Sequence, residues 1–188
     1  MTDMRELLKD SPIIAAVKDT DGLSKALTTD CDVIFVLFGD IMTIPTLVNR
    51  IKEAGKMAFV HVDLIEGLVG REIAIDFLKA KTGADGIIST RPNQIKYAKA
   101  KGLLTVQRFF IIDSIALAGL QKQFDTAPPD LAEVLPGLMP QIIEKLANRY
   151  PATPFIAGGL ISTKADIMQA LNAGAAAVSS TSPGVWQM

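Results

Sequence analysis

The chain has 188 residues, 49% hydrophobic and 21% charged, with a net charge of −1. That is the length of one domain, enough to bury roughly 70% of the unfolded surface, and the composition is that of a folded protein rather than a disordered one. The charge supplies no global pull toward nucleic acid or acidic membranes, the apolar runs fall short of the roughly 20 residues that cross a bilayer, and one His with one Cys cannot furnish a zinc site.

Residues 1–9 are mixed and charged and do not read as a secretory signal. Apolar runs follow at 13–17, 33–38, 57–64, 86–89, 104–112, 131–135, 155–160 and 176–179, giving eight predicted strands. Between them, stretches such as 43–54, 71–81, 92–101, 140–150 and 163–173 repeat apolar residues at intervals of three and four and predict amphipathic helices. Gly55, Gly102 and Gly174 stand where such helices stop. Regular alternation of strand and helix predicts one α/β domain over 1–188, a compact (β/α)8 TIM-type barrel of eight parallel strands; a doubly wound open sheet is the structural alternative. The string Gly83-Ala84-Asp85-Gly86-Ile87-Ile88-Ser89-Thr90 echoes Gly174-Ala175-Ala176-Ala177-Val178-Ser179-Ser180-Thr181 at an offset of 91 residues, as a duplicated half-barrel or a chance match of small residues would. Cys31 has no partner for an internal disulfide, which fits a reduced, cytoplasmic protein.

In a barrel of this kind ligand groups stand at the C-terminal ends of the strands. The residues that close the predicted strands are Lys18, Asp40, His61 and Asp63, Ser89, Arg108, and Gly158 with Gly159; Glu133 lies within the sixth, and Ser180 and Thr181 follow the eighth. Gly158-Gly159 and the hydroxyl cluster after Val178 offer unblocked backbone N–H groups and hydroxyls, the donors a phosphate needs, at the customary phosphate position of the fold. Gly158-Gly159 also suits a plain turn, and the serines also suit a helix cap. His61 and Asp63 share a parity in Phe59-Val60-His61-Val62-Asp63 and are expected on one face of their strand. Glu133, set among apolar residues, requires a cation, with Lys18 or Arg108 as the partner. Lys18 with Asp40 suits a rim ion pair. No P-loop, Rossmann glycine fingerprint or metal-ligand spacing is present, so no catalytic residue, cofactor or metal is assigned.

Residues 86–112 carry Arg91, Lys96, Lys99, Lys101 and Arg108 and no Asp or Glu. Lys96 and Lys99 share a helix face, so this outer helix suits nucleic-acid phosphates or is simply a solvated face.

The strings His61-Val62-Asp63-Leu64-Ile65-Glu66-Gly67-Leu68, Asp85-Gly86-Ile87-Ile88-Ser89-Thr90, Gln107-Arg108-Phe109-Phe110-Ile111-Ile112-Asp113-Ser114, Pro129-Asp130-Leu131-Ala132-Glu133-Val134-Leu135-Pro136-Gly137 and Ile156-Ala157-Gly158-Gly159-Leu160-Ile161 occur in this order. Together, over 13–186, they resemble the glycerol uptake operon antiterminator family of glycerol-3-phosphate-responsive regulatory proteins. The resemblance implies a βα barrel that binds glycerol 3-phosphate as effector and acts on leader mRNA, allowing transcription past a terminator, and not an enzyme. With that ligand, the phosphate is expected at Gly158, Gly159, Ser180 and Thr181 and the hydroxylated tail near His61, Asp63 and Glu133. RNA contact is assigned to Arg91, Lys96, Lys99 and Lys101, and a homo-oligomer would repeat that patch along RNA. The tail departs from the family's pattern by carrying Pro183-Gly184 where a more polar helix start is expected. The alternatives are a barrel enzyme (aldolase, isomerase or epimerase) using His61 and Asp63 on a sugar phosphate, and a ligand sensor with a protein partner.

Overall fold

A computed structural model describes residues 4–68 and 70–188. Eight strands, β1 (Ile13–Val17), β2 (Val33–Val36), β3 (Met57–His61), β4 (Gly86–Ser89), β5 (Leu104–Phe110), β6 (Leu131–Leu135), β7 (Phe155–Gly158) and β8 (Ala177–Ser180), pair in chain order and close into a parallel barrel. Around it run α1 (Met4–Asp10), α2 (Thr20–Ala26), α3 (Ile44–Glu53), α4 (Glu72–Lys81), α5 (Pro92–Ala100), α6 (Ser114–Thr126), α7 (Pro140–Arg149) and α8 (Lys164–Asn172). The closed barrel, not the open sheet, is therefore the architecture.

The helices begin where the sequence supplies acceptors or a preset φ. Asp19 and Asp113 accept the N–H groups of Gly22 and Ala116 at 2.6 and 2.8 Å, Thr163 and Asp166 form a reciprocal capping box, and Pro stands in the first turn of α3, α5 and α7. Gly55, Gly102 and Gly174 are all left-handed, as helix stops require. Several predicted strands run too long. β3 ends at His61 and not at 64, β5 at Phe110, and β7 at Gly158; after β3, Asp63 turns across to the end of β4, where Ser89 and Thr90 meet it. β8 is shifted to Ala177–Ser180, which matters for the site. β4 and β8 stand opposite one another in the ring, but Gly174 is left-handed and Gly83 is not, so the two copies of the echo differ in backbone.

Alternation along the strands gives two layers. Ile14, Val33, Phe35, Phe59, Ile88, Val106, Leu131, Ile156 and Ala177 fill the barrel, with Met4 and Leu8 of α1 added at the strand starts. The Phe35 and Phe59 rings lie 5.7 Å apart, and burying each contributes about 1.5–3 kcal/mol. Phe59 fits because Gly86 opposite it has no side chain: a Cβ there would lie 2.5 Å from the ring. Outward residues such as Val17, Val60, Ile87 and Ala157 pack against the helices. Cys31 is buried, its thiol donating toward the Trp186 carbonyl at 3.7 Å, and burial pushes its pKa up, which makes it a packed thiol rather than a reactive one. No helix among the described residues is long and apolar enough to cross a membrane.

Candidate functional site

One step above the apolar filling, the inward positions become polar. Arg108 on β5 and Glu133 on β6 are register partners, as are Gly158 on β7 and Ser179 on β8. Glu133 is 1% exposed, and both its oxygens are used: Oε2 accepts Arg108 Nε at 2.5 Å and Oε1 accepts the Ser179 hydroxyl at 2.5 Å. The cation that Glu133 requires is thus Arg108, not Lys18. Gly158 supplies the space, since a Cβ there would lie 2.6 Å from Glu133 Oε1 and 2.8 Å from Ser179 Oγ. The barrel holds a carboxylate between a guanidinium and a hydroxyl, which offsets the large cost of burying it.

Above this cluster opens a cavity of about 530 Å3. Arg108, Glu133 and Ser179 form part of its floor, and two chain segments, 159–162 and 180–182, form one wall. Among the described residues, the backbone N–H groups of Gly159, Leu160, Ile161 and Thr181 donate no hydrogen bond. Gly159 and Leu160 are both left-handed, with φ of 73° and 61°, a conformation that a leucine side chain disfavours. Such strain gathers at binding sites. The turn is backed by Gly137, whose N–H donates to Gly159 O at 3.2 Å and whose missing Cβ lets the loop after β6 lie on the Ala157–Gly158 backbone. Unclaimed donors clustered above a buried arginine suit an anion. The start of α8 does not add to them, because Asp166 already accepts the N–H groups of Ser162 and Thr163 at 3.0 and 2.8 Å.

His61 also reaches the inward face and is buried, and its Nδ1 has no hydrogen-bond partner. Burial first, and the positive charge of Arg108 second, lower its pKa to about 4, so the ring is neutral near pH 7. Asp63 Oδ2 is 4.0 Å from Nδ1, too far for a hydrogen bond, and with a neutral ring the two are not an ion pair. Asp63 instead serves the next strand end. Its carboxylate accepts Ser89 Oγ at 3.1 Å, Thr90 N at 2.7 Å and Thr90 Oγ1 at 3.0 Å, with Arg91 Nε 3.6 Å away. Ser89 points outward to that contact and does not line the cavity.

Other expected residues stand apart. Asp40 accepts Met42 N and Thr43 N, each at 2.8 Å, and the N–H and hydroxyl of Thr43 hold its carboxyl below the usual range. It is a turn cap, and it forms no ion pair with Lys18, which is exposed at the rim without a partner among the described residues. The Ser180 hydroxyl faces outward, donating to Ile161 O at 2.8 Å and accepting from Ser182 N at 3.2 Å. It ties the two wall segments together. In the basic stretch, Lys101 pairs with Asp76 at 2.7 Å and Lys99 with Asp130 at 2.9 Å, while Lys96 is exposed and unpaired among the described residues.

Sequence reasoning took the hydroxyl cluster after Val178 as one group and named Ser180 and Thr181 from it rather than Ser179, and it missed Leu160 and Ile161. Only the fold separates the two adjacent serines, Ser179 inward to Glu133 and Ser180 outward to Ile161 O; Leu160 and Ile161 contribute backbone groups, which side-chain identity does not advertise. Among the described residues no group of three or more His, Cys, Asp and Glu is placed to hold a metal ion.

The model of the family described as "Glycerol-3-phosphate responsive antiterminator" matches residues 13–186. An uncharacterized protein of Escherichia coli (strain K12), YgcP, is 46% identical over 182 residues, covering 97% of this chain and 95% of its own. Among solved structures, the glycerol uptake operon antiterminator regulatory protein of Listeria monocytogenes is 36% identical with a TM-score of 0.88, over 93% of this chain and 94% of that one. A glycerol uptake operon antiterminator-related protein of Thermotoga maritima is also 36% identical, with a TM-score of 0.83 over 95% and 99%. Barrel enzymes such as aldolases match at 10–16% identity, a likeness of fold alone. The family is regulatory rather than enzymatic, and its match embraces Arg108, Glu133, the Gly158-Gly159 turn and Ser179 together. The barrel with this polar mouth belongs to the glycerol-3-phosphate responsive antiterminator family.

Proposed function

We propose that the strand-end cavity binds glycerol 3-phosphate and that occupancy controls the action of the protein on leader mRNA in the cytoplasm, so that transcription of glycerol genes passes a terminator. The observation that carries this reading is the pairing, in one cavity, of unclaimed N–H donors at Gly159, Leu160, Ile161 and Thr181 with the buried Arg108–Glu133–Ser179 cluster. The donors suit a phosphate. The cluster suits the two hydroxyls of the glycerol tail, since a carboxylate and a hydroxyl accept and donate where a plain apolar floor would not. About 530 Å3 lies within the range of roughly 300–1,000 Å3 for small-molecule sites. His61 is not among the residues that line the cavity.

Control requires that the ligand favour one state of the protein over another. The wall segments 159–162 and 180–182 are the elements whose order the phosphate changes, since they carry the N–H groups of Gly159, Leu160, Ile161 and Thr181 that are left without partners, while Ser162 N and Ser182 N are already held by Asp166 and Ser180. Calorimetry on the purified protein is expected to show binding of glycerol 3-phosphate and none of glycerol at the same concentration, and the ligand is expected to raise retention of the leader transcript. RNA retention that stays the same at saturating glycerol 3-phosphate overturns the gating.

A further inference from the structure

We infer that the groove between α5 and α6 is the surface that takes RNA, in single-stranded form; the inference rests on the antiterminator reading above and places its macromolecular partner. The groove, about 580 Å3, has an apolar floor that includes Ile95, Pro92 and Pro128. Its rim carries Lys96 and Lys99 from α5 and Lys122 from α6. Lys96 and Lys122 are exposed, and their ammonium groups have no partner among the described residues. Lys99 is held at one end by Asp130 at 2.9 Å and the Pro128 carbonyl at 3.2 Å. α5 and the strands that flank it lie in the stretch 86–112, which contains no carboxylate.

The pattern of pairing separates this groove from the rest of the basic stretch. Arg91 leans on Asp63 and Lys101 is bound to Asp76, so their charges are spent within the fold. The unspent charges converge on one groove. Positive groups along the rim match phosphates, and an apolar floor accepts the faces of unstacked bases, which a duplex keeps inside its stack. Asn93 and Gln123, also in the lining, present amides that can meet base edges.

The groove is also joined to the ligand cavity through β5, the strand that α5 and α6 flank in sequence. Gln107 points outward and donates to Gln123 Oε1 at 2.5 Å, while the next residue, Arg108, points inward to Glu133. A shift of β5 on ligand binding therefore moves a residue of the groove wall directly.

The test is filter binding of the leader transcript at saturating glycerol 3-phosphate, over a salt series, for the wild type, Lys96→Glu/Lys122→Glu, the milder Lys96→Gln/Lys122→Gln, and Lys145→Glu as a control on α7. Loss of two phosphate contacts on a single strand is expected to reduce the magnitude of the log K against log salt slope by about 1.4. Affinity is expected to fall at least about tenfold, with a smaller fall for the Gln pair and none for the control, while calorimetric affinity for glycerol 3-phosphate and the melting temperature stay unchanged. If the wild type binds RNA and the Gln pair, folded, binds it equally with the same slope, the groove is overturned and the antiterminator reading stands. If the liganded wild type binds no RNA, that reading falls first; a groove that then takes an acidic peptide instead also overturns the inference.

Discussion

At the base of the barrel, α1 lays Met4 and Leu8 across the strand starts, where they join Ile14, Val33, Phe59 and Leu131 in a continuous apolar fill. At the mouth the same inward rows carry His61, Arg108, Glu133 and Ser179, which are buried almost as deeply but are polar. The base depends on volume and area, so its residues can be exchanged for others of similar size. Arg108, Glu133 and Ser179 depend on reciprocity, each tolerable because another satisfies it, whereas His61 is tolerated as a neutral ring whose Nδ1 has no partner among the described residues. Stability without specificity is assigned to one end, and specificity at a cost in stability to the other.

The largest test of that contrast is Glu133→Ala. It leaves the Arg108 guanidinium buried without its counter-charge and is expected to cost about 3–5 kcal/mol in urea denaturation, with glycerol 3-phosphate binding abolished in calorimetry. Leu8→Ala at the base is its counterpart. The side chain is fully buried, so the loss is expected at about 2–5 kcal/mol, yet the remaining folded protein should bind the ligand with unchanged affinity. Equal loss of binding in both variants would erase the distinction between the two ends.

A third test uses pH. His61 is held neutral, its pKa brought from 6.5 to about 4, so the folded state binds fewer protons than the unfolded state between those values. Its neutral burial is therefore tolerated fully above pH 6.5, and stability falls as the pH drops toward 4. The acid-side loss attributable to this residue is on the order of 3 kcal/mol. His61→Gln should flatten the stability profile across that window without altering the plateau shape above it. A profile identical to the wild type between pH 6.5 and 4 shows that His61 is not the group that titrates.

Much of this architecture was legible in the order of residues, and the exceptions have physical causes. Eight apolar runs separated by three-and-four periodicity favoured the closed barrel over an open sheet, and the requirement that buried Glu133 meet a cation pointed to Lys18 or Arg108, of which the fold uses Arg108. The plug at the base was not legible: Met4 and Leu8 in a charged segment look like surface, and only the open strand starts beneath them make them core. At the mouth, parity set His61 and Asp63 on one face, but Asp63 lies past the end of β3 and turns to Ser89 and Thr90 instead; the hydroxyl cluster after Val178 was legible as a group, but not that Ser179 faces the cavity while Ser180 faces away from it. Gly158 was legible as a special position, but its reason lies in Glu133 and Ser179, both distant in sequence and brought there by closure of the barrel.

The serine pair on β8 gives the smallest and most discriminating test, because Ser179 and Ser180 are adjacent and face opposite ways. Ser179→Ala frees Glu133 Oε1 within the cavity, and its effect is expected at the hydroxyl end of the ligand. Affinity for glycerol 3-phosphate falls about tenfold, a difference of about 1.4 kcal/mol, while affinity for inorganic phosphate is retained. Ser180→Ala breaks the link between Ile161 O and Ser182 N, and so loosens the two segments proposed to hold the phosphate. It is expected to cost about 0.5–1.5 kcal/mol of stability and to weaken glycerol 3-phosphate and inorganic phosphate by the same factor. Competition calorimetry with both ligands separates the two outcomes, and a reversal of the pattern would place the phosphate over Glu133 and the glycerol tail against the wall.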